Sequence, residues 1–93
     1  MVRKATGNKK WWEFWRHYQR KSGAVAYAKK HRGLWVIVEC SPEIMTPQEV
    51  RDLGLWVVGR ADEYLFFQEK HGKNFEKYYQ AVEYWQNGVL LGK

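Results

Sequence analysis

The chain has 93 residues, with sixteen Lys and Arg against ten Asp and Glu for a net charge of +6, and 17% of it is aromatic, including six Trp, six Tyr and four Phe. A chain of this size has room for one core and must bury most of those rings to be stable alone, so residues 1–93 read as a single domain. The polar, cationic start and the strand-sized apolar runs exclude a signal peptide and a transmembrane helix, and the lone Cys40 excludes an intrachain disulfide and suits a reducing, cytoplasmic setting.

The positive charge is not spread evenly. Through Arg32 the chain carries ten bases (Arg3, Lys4, Lys9, Lys10, Arg16, Arg20, Lys21, Lys29, Lys30 and Arg32) against Glu13 alone, a balance of +9; beyond it six bases face nine acids, a balance of −3. Such sign asymmetry points to an anionic partner of the N-terminal third.

Residues 1–8 are polar and aperiodic and read as a flexible basic arm. From Lys9 to Lys21, in "KKWWEFWRHYQRK", the spacing predicts an amphipathic helix capped by Asn8. Trp11, Phe14, Trp15, Tyr18 and Ser22 would share its buried face, and Lys9, Arg16 and Arg20 the opposite one, with Trp12 beside them. The phase fails at Gly23, so a second short helix is expected over Ala24 to Arg32, ended by its cationic last turn and Gly33. "LWVIVEC", Leu34 to Cys40, is apolar on both faces, as a central strand is. "TPQE", Thr46 to Glu49, is a capping box with Pro47 at the first helical position, opening a short helix that stops at Gly54.

"LWVVGR" and "EYLFFQE" read as two strands of a hairpin turning at Ala61-Asp62. Asn74 would then cap a helix from Phe75 to Gln86, with Val89 to Leu91 folding back after Asn87-Gly88. The expected order is ααβαββα, an α+β fold with a small sheet of about three strands packed with N-terminal and C-terminal amphipathic helices. Two helices would cover one sheet face each; otherwise a second subunit would cover one, as in a homodimer.

No stretch supplies a catalytic set. Cys40 has no nearby base to activate its thiol, and His17, His31 and His71 stand in separate segments. Asp62, Glu63 and Glu69 with Lys70 lack the spacing of a metal-dependent nuclease, and "HGK" at His71 is too short for a phosphate loop. The helix Pro47 to Leu53 followed by the hairpin resembles the recognition helix and wing of a winged domain, but Glu49, Asp52, Asp62 and Glu63 would repel phosphates there.

The expectation is therefore a non-enzymatic basic protein, without cofactor or metal, that binds nucleic acid, DNA or RNA, through its N-terminal basic-aromatic helix. The contact residues would be Arg3, Lys4, Lys9, Lys10, Trp12, Arg16, Arg20, Lys21, Lys29, Lys30 and Arg32. The alternative is an inhibitor or adaptor, an accessory protein of the phage or mobile-element type, that docks on an acidic surface of a larger protein complex. In that case exposed aromatics, Trp12 and Tyr84, would matter more than the lysines.

Overall fold

The computed structural model describes residues 15–92. The fold is α+β, built on a five-stranded antiparallel sheet. In chain order the elements are β1 (Arg16–Tyr18), α1 (Lys21–Lys30), β2 (Leu34–Cys40), a 3-10 turn (Pro42–Ile44), α2 (Pro47–Leu53), β3 (Trp56–Arg60), α3 (Ala61–His71), α4 (Lys73–Tyr78), β4 (Tyr79–Gln86) and β5 (Val89–Gly92). The sheet order is β1-β3-β2-β4-β5. Both the expected strand number and the order ααβαββα are thereby corrected.

β2 lies at the centre of the sheet with apolar side chains on both faces, as its sequence requires. Val36, Val38 and Cys40 join Val57, Ala61, Tyr64, Phe75 and Met45 in one core, covered by α2, α3 and α4. Ile37 joins Val58, Trp85, Ala24 and Ala28 in the other, beneath α1, with Tyr18, Tyr27, Trp35 and Trp56 packed around it. Helices of this one chain thus cover both faces of the sheet.

The segment expected to end the first helix is instead an edge strand: Arg16, His17 and Tyr18 pair with Val58, Val57 and Trp56. The helical stripe predicted Trp15 and Tyr18 on one face, yet Trp15 packs into the core under α3 and Tyr18 into the core under α1. With a core on each side of the sheet, a strand buries both rings where a helix buries only one face. Lys9 to Phe14 lie outside the described residues, as do the basic arm and the predicted Asn8 cap. Gly23 does not break α1 but sits within it, close against Tyr18, where an added Cβ would come 2.7 Å from Cδ1 of that ring. α1 therefore starts at Lys21 and ends at Lys30, near the predicted stop, with Lys29 and Lys30 in its last turn.

The capping box forms as predicted: the Thr46 hydroxyl accepts from the Glu49 amide at 3.1 Å, and the Glu49 carboxylate accepts from the Thr46 amide at 2.9 Å. "EYLFFQE" is helical, not a strand, so there is no hairpin at Ala61-Asp62 and no wing after α2. Its stop and start signals were present: Asp62 and Glu63 in the first turn, Lys70 and His71 in the last, then Gly72. The predicted C-terminal helix is also overturned. α4 starts at Lys73 without Asn74 as its cap and ends at Tyr78, and a strand follows. A register shift in β4 between the partners of Ile37 and Val38 inserts Val82, and that bulge disguises the two-residue alternation as helical spacing. Asn87-Gly88 closes the β4–β5 hairpin with positive φ at both residues, 49° and 84°, the conformation a two-residue hairpin loop favours.

Two titratable groups of the larger core make its stability fall at high pH. Burial, reinforced by the charge of Glu39, pushes the Cys40 thiol up to about 12, and burial with Tyr84 and Glu76 nearby raises Tyr64 to about 12 as well. Both folded values exceed the unfolded ones, 9.0 and 10.0, so their stabilising contribution is complete below pH 9 and is lost as pH climbs toward 12. Each group then contributes a slope of up to about 1.4 kcal/mol per pH unit. Urea denaturation at increasing pH should show stability falling from pH 9 onward, with Cys40→Ala delaying the fall until Tyr64 titrates. A flat profile in both proteins would contradict the burial of these groups.

Candidate nucleic-acid interface

The antiparallel register sorts side chains by face. Trp35 lies opposite Arg60, and Arg16 opposite Val58, so Arg16, Trp35 and Arg60 all project toward the α1 side. Above them the last turn of α1 delivers Tyr27, and the residue that caps the helix, His31, follows four positions on. The rings of Tyr27 and His31 have centroids 4.0 Å apart, and Tyr27 meets Trp35 edge-on at 5.3 Å. His31 closes the triangle with Trp35 at 6.3 Å. The indole N–H of Trp35 donates to the Arg32 carbonyl at 3.0 Å, which fixes the ring against the end of the helix.

Two guanidinium groups flank this aromatic nest. Arg16 lies 4.9 Å from the centroid of Tyr27, and Arg60 lies 5.3 Å from that of Trp35. Nearby, the Lys29 ammonium sits 5.5 Å over Trp85. Arg16, Lys29, Lys30, His31, Arg32 and Arg60 are all exposed. A guanidinium held against a ring loses little further freedom on binding, and its outward edge keeps the planar donor fork that grips a phosphate.

The two layers differ in charge. On the α1 side the acids projecting from the sheet are Glu39, toward the other end of β2, and Glu83. Glu83 is buried, its carboxylate 2.7 Å from the Lys21 ammonium and accepting from the Trp85 indole at 3.0 Å. The opposite layer carries Glu43, Glu49, Asp52, Asp62, Glu63, Glu69 and Glu76, interspersed with Arg51, Lys70 and Lys77.

The structure brings Arg16 together with the Lys29 to Arg32 cluster, although sequence spacing assigned them to separate helices. Arg20 is exposed at the other end of α1, about 15 Å away for a helix of this length. Lys21 stands beside it with its charge committed to Glu83. Arg3, Lys4, Lys9, Lys10 and Trp12 lie outside the described residues. Tyr84 is not on the polar side of a helix: it lies on β4, packed against the core, and burial raises its pKa. Sequence reasoning missed Tyr27, Trp35 and Arg60 as site residues. Strict alternation along "LWVIVEC" and "LWVVGR" places Trp35 and Arg60 on one face once the antiparallel pairing is known.

The weaker chemical candidates take structural places. Asp62 accepts from the Glu63 amide, and Glu63 accepts from the Trp15 indole at 3.1 Å, both in the first turn of α3, where the helix dipole favours acids. His71 stacks between Phe67 and Phe75. Cys40 is buried in the larger core. Among the described residues no three His, Cys, Asp or Glu side chains come together as a metal-binding group, and no helix is long and apolar enough to cross a membrane. Comparison with known proteins found no matching family model, no similar curated protein and no similar solved structure.

Proposed function

We propose that this chain is a non-enzymatic binding protein that holds nucleic acid against its α1 face. The observation that carries this reading is the pair of arginines from neighbouring sheet positions, Arg16 and Arg60, each seated on an aromatic ring beside the Lys29 to Arg32 helix end. The excess of positive charge at this end of one layer favours a polyanion, and guanidinium forks beside rings suit phosphates and bases together. The contact set centres on Arg16, Lys29, Lys30, His31, Arg32 and Arg60, with Tyr27 and Trp35 as its frame. Arg20 adds to the charge of this layer, and Arg3, Lys4, Lys9 and Lys10 add to the net charge of the chain. A reducing, cytoplasmic setting suits the lone buried thiol.

The test is a titration of labelled single- and double-stranded 30-mers at increasing salt. Affinity should fall linearly on a log-log plot with a slope of about −0.9 per duplex phosphate contact and about −0.7 per single-strand contact. Absence of binding at low salt would remove nucleic acid as the partner.

A second reading, docking on a larger protein complex as inhibitor or adaptor, draws on a different observation: adjacent Leu65 and Phe66 are exposed on α3, away from the basic layer. Large exposed apolar residues mark protein contacts when they cluster. A complex that survives nuclease treatment and is lost in Leu65→Ala/Phe66→Ala would favour this reading.

A further inference from the structure

We propose that the outer edge of β5 pairs with β5 of a second copy of this chain, antiparallel about a two-fold axis, to merge two sheets into one. β5 ends the sheet order, so among the described residues no strand neighbours the peptide groups on its outer side. The two edges of the sheet are built differently. At the β1 edge Arg16 and His17 supply polar and charged side chains of the kind that discourage strand pairing. β5 contains neither charge nor proline, and Val89, Leu90 and Leu91 are 60%, 43% and 56% exposed. Leu34, also exposed, shares the register row of Gln86 with Val89 and widens the apolar strip.

Charge selects the occupant. A chain of net charge +6 repels its own copies over most approaches, and only a neutral contact escapes that cost. The β4–β5 hairpin supplies one, since Gln86, Asn87, Gly88 and the β5 residues through Gly92 are all uncharged. A second copy presents the same neutral, apolar strand, and antiparallel pairing of a strand with itself is self-complementary under two-fold symmetry. A strongly charged partner would find no counter-charge there.

The geometry has a further consequence. An antiparallel pairing of identical edges requires the two-fold axis to stand normal to the sheet, so both α1 helices lie on the same side of the merged sheet. Two basic faces would then form one surface; this consequence rests on the proposed function, whereas the pairing itself does not.

Light scattering across a wide concentration range tests it. The expected result is a mass rising from that of one chain to that of two, with Val89→Lys/Leu91→Lys remaining at one. A mass that stays at one chain throughout would overturn the proposal, as would a dimer that forms undiminished in the double variant while its circular dichroism is unchanged. Should the variant fail to fold, hydrogen exchange of the native protein decides: protection of β5 amides should rise with concentration, and protection independent of concentration overturns the pairing. The outcome of the 30-mer titration leaves each of these readouts untouched.

Discussion

Replacing Arg16 and Arg60 together by alanine is expected to weaken binding of a labelled 30-mer at physiological salt by about a hundredfold or more. Hydrogen bonds to charged groups contribute about 1.5–3 kcal/mol each, and the two arginines lie on separate strands with separate rings beneath them. The salt slope should fall by about one unit for each phosphate contact removed. Arg16→Lys/Arg60→Lys separates net charge from geometry: lysine keeps the charge but loses the planar fork stacked on the ring, so an intermediate loss is expected. Lys70→Ala/Lys77→Ala, on the opposite layer, is the control and should leave affinity nearly unchanged. Equal losses in Arg16→Ala/Arg60→Ala and Lys70→Ala/Lys77→Ala would mean that the chain binds by overall charge, and the basic-aromatic face would lose its special role.

That face was only half legible in the sequence. The excess of bases before Gly33 was visible in one dimension, and the end of α1 at Lys29 to Arg32 follows from local stop signals that the fold does not override. Arg60 escaped notice because its importance arises from strand register: only pairing β2 with β3 sets it opposite Trp35. Tyr27 was similarly ambiguous, since its neighbours Arg16 and Trp35 lie on two different strands. Long-range pairing of this kind leaves no local trace.

The fold divides along the same line. β2, α2 with its capping box, and β3 were readable because each is set by its own residues: apolarity on both faces, reciprocal caps, and β-branched runs. The misread segments are those where aromatic residues satisfy two periodicities. In α3, Tyr64 and Phe67 are good strand formers whose spacing of three also fits a helix, and burial against β2 and β3 decides. In β4 the bulge at Val82 moves Trp85 to a helix-like distance from its predecessors, while the Asn87-Gly88 hairpin signal that should have outweighed it lies just beyond.

The largest loss of stability is expected from Gly54→Ala, and it should reach the binding face. Gly54 closes α2 with φ of +92°, a conformation that L side chains rarely adopt. It also lies against the end of β1. An added Cβ would overlap the Tyr18 carbonyl and come 2.7 Å from the Gln19 nitrogen, both backbone atoms that no rotamer change can move. The same junction is held by the Gln19 side-chain amide, which donates to the Arg51 carbonyl at 2.6 Å, and by His17, whose Nδ1 lies 3.4 Å from the Gly54 carbonyl. Backbone strain of about 1 kcal/mol and overpacking of about 1–3 kcal/mol should combine to a loss of about 3 kcal/mol in urea denaturation. Gly72→Ala isolates the first part: its φ is +81°, but the space around it is open, so only the backbone cost of about 1 kcal/mol applies. If Gly54→Ala costs no more than Gly72→Ala, β1 does not pack against the α2 terminus as described. If it costs more, relief of the clash must move β1 outward, and with it Arg16 away from Tyr27. The folded fraction of Gly54→Ala should then bind the 30-mer about as weakly as Arg16→Ala, linking a glycine that touches no ligand to the geometry of the basic face.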